Sequence, residues 1–572
     1  MTKKTTSVLA LLTVFAALSL AGPKNGPKIA DDINLSSSAP VNVIITYAKP
    51  PSFLESLNLL SLVNSVLHLL GNILNVTIPG TSITSVASDS NVTYIAPNRT
   101  LHPTLDYTTA AVDANVAFQS GFTGNGVGIA IIDSGINPHQ DLQGRIVYNE
   151  SFVAGDLSTL DVYGHGTHVA GIAAGSGAVS LSSGSTRTLR GLAPGAHLIN
   201  LRVLDATGAG TDAAVIAAIN RAIQLKSQYN IRIINLSLGR PIAESYTLDP
   251  LCQAVEQAWK AGIFVAVAAG NDGRLNYSGN SGYGTINSPG NDPYVITVGA
   301  MKTEKTYANG DDLIASYSSK GPTVLDHVVK PDVVAPGNLV VSDMLVSSYL
   351  STKFPQNQVP STYYSSTLPS VLFSLLGVNS QSYFTLSGTS MATPVVSGAA
   401  ALVLQQNAGL TPDQIKAKLM KTAGKNFPVS SVAVDPVTGV SYYSQYDIFT
   451  IGAGYLNVWA ALNNTDLAMG SAKSPTVSSS SASSSTVMVY DSSAIWGSSA
   501  IWGTSAIWGT NVFVNGSSAI WGTSAIWGTN TPTAYSAIWG TSAIWGTSAI
   551  WGTSAIWGTG TNAESINVNG EK

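Results

Sequence analysis

The chain has 572 residues, of which 45% are hydrophobic and only 10% are charged. It is too long for one ordinary domain, so we expect three or more regions. Its formal net charge of −4, without any basic run, argues against a nucleic-acid partner. A single cysteine, Cys252, excludes an intramolecular disulfide.

The N-terminus has the layout of a secretory signal peptide. Lys3 and Lys4 precede an apolar stretch from Val8 to Leu20, and Ser19-Leu20-Ala21 has the small residues of a cleavage site. The stretch is shorter than the ~20 residues that span a bilayer. We therefore expect residues 1–21 to be removed and the protein to be secreted.

Residues 22–105 predict a small α+β unit. The segments 41–48 and 90–97 alternate like strands, and Leu, Val and Ile recur at helical spacing over 52–74. Polar residues interrupt that Leu-rich stretch, which favours a helix packed on a small sheet over a membrane segment.

Residues 106–465 alternate apolar runs with helical patterns, which predicts an α/β fold: a mainly parallel sheet with helices on both faces. The predicted strands are 126–133, 197–204, 231–238, 263–270 and 294–300. The predicted helices between them include 211–225 and 249–262.

Three polar side chains stand at the ends of predicted strands or at the start of a predicted helix. Asp133 closes the run IIDSGI, at the sheet edge where open α/β sheets bind ligands. Asn271 follows another strand, in AAGNDG, and Ser390 lies at the start of a helix in GTSMATP. Taken singly, each is more simply a turn or capping residue.

His165 and His168 occur in GHGTHVAG, ahead of small residues that suit a closely packed helix. A zinc-protease helix needs histidines four apart with a Glu beside the first, and both features are absent. We therefore interpret His165 as the reactive imidazole and His168 as a packed neighbour.

Together these residues match the needs of acyl transfer: a nucleophile, a base and an acid that orients the base. The order Asp133, His165, Ser390 is one of three known chain orders for such triads. Asn271 could donate to the oxyanion together with a backbone N–H near Ser390.

At this point residues 106–465 resemble the subtilisin family (subtilases) of serine endopeptidases, through IIDSGI, GHGTHVAG, AAGNDG, GTSMATP and KPDVVAPG. The resemblance implies that Ser390 is the nucleophile, His165 the general acid/base and Asp133 its orienting carboxylate. It makes Asn271 the oxyanion donor. Sedolisins share a similar Ser segment but lack the catalytic His, so GHGTH argues against them.

The resemblance also implies protein or peptide substrates, held by strand addition. The segments that would flank the substrate are Gly208-Ala209-Gly210 and Ser237-Leu238-Gly239. Asn287 falls near the floor expected for the S1 pocket. It suggests a neutral polar floor and does not exclude a broad or apolar preference. An insertion over about 342–383, with several tyrosines, is either a wall of the cleft or a surface excursion.

Two further features follow from the resemblance. Residues 22–105 would be an inhibitory propeptide, a chaperone-like intramolecular partner cut off between about residues 100 and 110. No cofactor is required for the chemistry, but Asp141 matches one ligand position of a structural calcium ion. The partner loop, about 175–190, lacks the expected Asn-containing pattern, which puts calcium in doubt.

The C-terminal part is of low complexity. A Ser-rich stretch, 466–490, has the composition of a flexible linker. The unit SAIWG then occurs nine times within 491–560, holding nine of the eleven Trp, and a polar tail follows over 561–572. A six-residue repeat places equivalent side chains on one face of a strand, whereas on a helix the Trp would spiral around all faces.

Three interpretations of these repeats stay open: a disordered extension, an aromatic strand array that binds a ligand or the cell surface, or a self-assembling segment. The alternative function is correspondingly an adhesive or structural surface protein, whose protease domain mainly processes or presents the repeats.

Overall fold

The computed structural model describes residues 27–30, 33, 35–52, 65–70, 72–97, 107–181, 185–275, 281–365, 382–435, 438–480, 485–489, 512–514 and 568–571. The predicted signal peptide and nearly all of the SAIWG repeats lie outside these residues. Two compact units are present, residues 1–102 and 103–572.

The first unit contains a four-stranded antiparallel sheet of order β2-β3-β1-β4. Its elements are β1 (Pro40–Tyr47), β2 (Ser65–Leu70), β3 (Ile73–Pro79), α1 (Ile83–Ala87) and β4 (Val92–Pro97). The helix predicted over 52–74 is therefore wrong for its second half, which forms β2 and the start of β3; residues 53–64 lie outside the described part. Leu74, Val76 and Ile78 alternate on the buried face of β3, the period of two that a strand requires.

The second unit contains a larger sheet of order β11-β10-β9-β8-β5-β7-β6, with β12 beside β10. Every pairing is parallel except that of β11 with β10. These strands are β5 (Gly128–Asp133), β6 (Ile146–Ser151), β7 (His197–Arg202), β8 (Ile231–Leu236), β9 (Phe264–Ala268), β10 (Ile296–Lys302), β11 (Leu313–Ile314) and β12 (Val333–Pro336).

The helices of this unit are α2 (Thr108–Ala111), α3 (Ala114–Gln119), α4 (His165–Ala174), α5 (Asp212–Leu225), α6 (Pro250–Lys260), α7 (Tyr349–Lys353), α8 (Thr389–Gln406), α9 (Pro412–Thr422) and α10 (Val458–Asn463). Helices α4 and α8 pack together and against the sheet, and α5 and α6 form a second such pair. The predicted α/β fold with a mainly parallel sheet is confirmed. Within the described parts of the chain, no helix is long and apolar enough to cross a membrane.

Three short β-structures complete the unit. They are the antiparallel pairs β13 (Val340–Asp343) with β14 (Tyr383–Leu386) and β15 (Ser430–Val434) with β16 (Ser441–Gln445), and a three-stranded sheet of β17 (Thr476–Ser480), β18 (Ser485–Val489) and β19 (Val512–Val514).

The first part of the predicted linker packs on the second unit, so that part of the prediction is wrong. Val477 is 3% exposed and belongs to the main core, and its N–H donates to His327 O at 2.9 Å. The buried Ser474 hydroxyl donates to Asp332 and accepts from Lys416 Nζ at 2.8 Å. Burying a charged Lys–Asp pair requires such additional hydrogen bonds, and the serine provides them.

Candidate active site

Asp133 is held at the centre of the sheet edge. All six residues of β5 are buried, and its neighbours β7 and β8 lie on opposite sides, which makes the end of β5 a topological switch point. One carboxylate oxygen, Oδ1, accepts from Ser134 N and is 2.7 Å from His165 Nδ1. Asp133 is fully buried, so the carboxylate faces the imidazole without competition from water.

Glycine allows the helix of His165 to approach the end of β5. A Cβ atom at Gly166 would lie 2.2 Å from Gly135 O and 3.2 Å from Asp133 Cβ. Burial alone would lower the pKa of His165, but the Asp133 carboxylate, through its charge and its hydrogen bond, raises this pKa above its ordinary value. The imidazole is therefore more basic than a free histidine.

A second buried carboxylate, Asp161, organises the loop that carries His165; the sequence analysis did not identify it. Asp161 accepts from Gly164 N (2.6 Å), Thr167 N (2.7 Å), Thr167 Oγ1 (2.7 Å) and Ser134 Oγ (2.8 Å). Its negative charge also contributes to the raised pKa of His165. Only its position shortly before GHGTH could have drawn attention to it.

Ser390 lies in the first turn of α8, at the helix end whose field favours negative charge. A chain of hydrogen bonds fixes its backbone: Asn235 Nδ2 donates to Ser237 Oγ at 2.9 Å, and Ser237 Oγ donates to Ser390 O at 2.8 Å. The Ser390 hydroxyl itself is buried and has no hydrogen-bond partner among the described residues. It is thus positioned by its backbone while its Oγ is available.

Asn271 is oriented by the residue before Ser390. Its side-chain oxygen accepts from Thr389 N at 2.9 Å and from Thr389 Oγ1 at 3.1 Å, and Thr389 Oγ1 in turn accepts from Gly270 N at 3.2 Å. Because the oxygen is occupied, the Nδ2 amide is the free end, and it is buried without a partner among the described residues. Thr389 is the second residue that sequence reasoning missed.

The proposed substrate segments occupy two loops that follow β7 and β8. Gly208 has φ +81°, and a side chain there would come within 2.7 Å of the Tyr163 ring, two residues before His165. Ala209 closes a turn with Asp205, in which Asp205 N donates to Ala209 O at 2.8 Å. Gly210 packs on Leu204 and Val203.

In the second loop the residues differ in what they can offer a substrate. Ser237 faces inward to Ser390 O, and Leu238 is fully buried. Gly239 lies against Asn287, because a Cβ atom added at Gly239 would be 3.2 Å from Asn287 Cβ. Asn287 Nδ2 donates to Asp272 Oδ2 at 3.2 Å, so the loop, Asn287 and the segment that bears Asn271 lie next to one another.

The described part of the insertion reaches the same region. Tyr349 stacks on Tyr163 with ring centroids 5.7 Å apart, and its N–H donates to Val162 O at 2.8 Å. Tyr349 is 39% exposed. The insertion therefore packs on the residues just before His165, as a wall of the cleft would; residues 366–381 lie outside the described part.

His168 serves packing. Its Nε2 lies 3.1 Å from Val340 O and 3.0 Å from Phe384 O, and burial lowers its pKa to about 3. A neutral imidazole that donates to these carbonyls ties α4 to the β13–β14 pair.

Asp141 belongs to a group of possible metal ligands with His139 and Asp343, whose ligand atoms lie within 4.8 Å of one another. Both Asp141 oxygens already accept hydrogen bonds, from Tyr383 OH at 2.6 Å and from Val179 N at 2.8 Å. His139 Nδ1 is 3.4 Å from Asp343 Oδ2. Calcium takes six to eight oxygen ligands, so this donor set, with a histidine and an engaged carboxylate, fits calcium poorly.

The chain is similar in sequence to proteins of one known family. A model of the subtilase family (peptidase S8) matches residues 124–439, more than half of the chain. Serine protease AprX of Bacillus subtilis is 39% identical over 347 residues, covering 59% of this chain and 70% of that protein. Subtilisin Savinase of Lederbergia lenta is 36% identical over 312 residues, covering 54% and 88%.

A solved structure of a cold-adapted subtilisin-like serine proteinase is also similar, with 30% identity, a TM-score of 0.38, and coverage of 53% of this chain and 85% of that one. From the family match over residues 124–439 and the identity to AprX and Subtilisin Savinase, this chain belongs to the subtilase family and is a serine endopeptidase.

Proposed function

We propose that the chain is an exported serine endopeptidase, made as a zymogen, that cleaves proteins or peptides with Ser390, His165 and Asp133. The observation that carries this assignment is the 2.7 Å contact between His165 Nδ1 and the buried Asp133 carboxylate. It is supported by Ser390 and Asn271, which the strand ends and the first turn of α8 bring to the same sheet edge.

In this mechanism His165 removes the Ser390 proton as Oγ attacks the scissile carbonyl carbon. Asp133 holds the imidazole in the required tautomer and stabilises its charged form. Asn271 Nδ2 and a backbone N–H near Ser390 donate to the oxyanion. His165 then protonates the leaving amine, and water hydrolyses the acyl-enzyme by the reverse sequence.

The substrate backbone would pair with 208–210 on one side and 237–239 on the other. The close approach of Gly208 to Tyr163 supports this, because it brings the first loop next to the residues just before His165. Asn287 would close the S1 pocket, with the Asp272 carboxylate behind it. We expect small or polar P1 side chains to be preferred to large aromatic ones.

The first unit is proposed to be the propeptide, an intramolecular inhibitor and folding aid. Its compact four-stranded sheet with its own buried core supports this role. A template would accelerate folding of the second unit, since parallel sheets depend on non-local contacts and form slowly. Removal of residues 1–21, secretion, and cleavage between about residues 100 and 110 complete the proposal.

No step is assigned to a metal ion. The triad and the Asn271 amide supply the nucleophile, the base and the oxyanion donor, and calcium fits the His139–Asp141–Asp343 group poorly. Association with the cell surface through the SAIWG repeats stays a prediction, because nearly all of these residues lie outside the described part.

The test is casein hydrolysis by the wild type, by Ser390→Ala, and by Ser227→Ala, an exposed serine on α5's C-terminal side as a matched control. We expect Ser390→Ala to lose activity and Ser227→Ala to keep it. Equal activity of wild type and Ser390→Ala would overturn the assignment. Mass spectrometry of the secreted protein checks the N-terminal cleavage sites.

A further inference from the structure

Residues 568–571, which follow the repeats, pack on the second unit. Val568 and Glu571 are 3% and 5% exposed, although this stretch reads as a polar tail. Val568 O accepts from Asn357 Nδ2. The segment lies at a cavity of about 750 Å³, which Lys302, Asn338, Val359 and Thr385 also line.

The Glu571 carboxylate occupies a site with matching charge and hydrogen-bond donors. Its Oε2 accepts from Ser316 N at 2.8 Å and from Ser316 Oγ at 2.6 Å, and lies 3.2 Å from the Arg274 guanidinium. Its Oε1 lies 3.3 Å from Lys302 Nζ. Two cations and two neutral donors thus surround one carboxylate.

The backbone of the segment is held as well. Asn338 pairs with Glu571 in both directions: Glu571 N donates to Oδ1 at 2.8 Å and Nδ2 donates to Glu571 O at 2.7 Å. Gly570 has φ +60°, and a Cβ there would lie 2.4 Å from Ser387 Oγ. Glycine is therefore required by both conformation and space, and the side-chain amide of Asn338 recognises the peptide group that follows.

The site depends on its occupant. Ser316 is 1% exposed with Glu571 in place, and Glu571 Oε2 is the shared acceptor of its N–H and its hydroxyl, so release of the segment takes this acceptor from both donors. The site also adjoins the nucleophile segment, since Gly388 N donates to Gly337 O, the residue before Asn338, at 2.8 Å.

We propose that residues 568–571 form an intramolecular clasp, held mainly by Glu571, that attaches the C-terminal end of the repeat region to the second unit. The near end is fastened by Ser474 and Val477. Both ends of the stretch that contains the repeats are then attached to the second unit. This inference does not depend on the proposed proteolytic mechanism.

The test is hydrogen exchange measured by mass spectrometry on the full chain carrying Ser390→Ala, which keeps every segment attached. Glu571→Gln is compared with Glu564→Gln, which removes the same charge seven residues earlier. We expect Glu571→Gln to speed exchange at least about tenfold in peptides covering Ser316 and residues 568–571, because the neutral side chain loses the attraction of Arg274 and Lys302 and the segment then opens more often. Glu564→Gln should leave both peptides as in the parent chain.

Equal exchange in the parent and in Glu571→Gln, at Ser316 or at 568–571, would overturn the clasp. Protection of Ser316 that appears only at high protein concentration would overturn its intramolecular form, because the occupant would then be a second copy. Protection that is independent of dilution and lost in Glu571→Gln supports it.

Discussion

Thr389 is predicted to govern the rate of the chemical step by orienting Asn271. Replacing it with Val removes one of the two hydrogen bonds that hold Asn271 Oδ1 and leaves Gly270 N without its acceptor. One hydrogen bond contributes about 0.5–1.5 kcal/mol, which corresponds to a fall in kcat of about two- to twelvefold. This is well below the roughly hundredfold loss expected when a whole oxyanion donor is removed.

The assay is steady-state hydrolysis of a chromogenic peptide well below the unfolding temperature. Because the oxyanion forms only in the transition state, kcat should fall while KM stays nearly constant. Thr389→Ser keeps the hydroxyl and should retain most of kcat. An unchanged kcat in Thr389→Val, or an equal loss in Thr389→Ser, would refute the role assigned to the hydroxyl.

Three further variants test the pKa of His165, the packing of α8 and the S1 pocket. Asp133→Asn removes the main charge that raises the pKa of His165. Since the base must be unprotonated, the acidic limb of the pH profile of kcat/KM should move to lower pH while activity falls. An acidic limb that stays in place would contradict this role of Asp133. Gly398→Ala places a Cβ 2.3 Å from Leu192 Cβ, whereas a Cβ at Gly310 meets nothing within 4 Å. The Tm of Gly398→Ala should therefore drop by the equivalent of about 1–3 kcal/mol, and that of the control Gly310→Ala should not. Asn287→Gly should raise kcat/KM for Phe over Ala at P1 several-fold, which paired substrates would measure; an unchanged ratio would place Asn287 outside the S1 pocket.

Most of the second unit's fold could be predicted from the sequence, because strands buried on both faces leave uninterrupted apolar runs. All five predicted strands exist, each within about three residues of its expected ends. The first unit was harder. In a Leu-rich stretch, helical and strand spacings coincide over short windows, so the spacing of Leu, Val and Ile up to residue 74 did not distinguish β2 and the start of β3 from a helix.

The contact between His165 and Asp133 could be expected from the sequence, because both residues stand at the ends of elements that meet at one sheet edge. The supporting residues could not. Nothing local marks Asp161 or Thr389 as partners of residues distant in the chain, and a serine-rich composition gave no sign that Ser474 is buried between charged groups. Glu571 was likewise one acidic residue in a polar tail, whose partners lie more than two hundred residues away.

The helix that begins at Thr389 and carries Ser390 has a consequence for how the enzyme loses activity on heating. From Thr389 to Leu404 every residue of α8 is buried, and the helix packs on α4 and on four strands of the sheet. Such an element does not open by local fraying; it opens only when the whole unit does. The lifetime of activity at high temperature should therefore equal the lifetime of the folded state, which makes resistance to inactivation a matter of the unfolding rate.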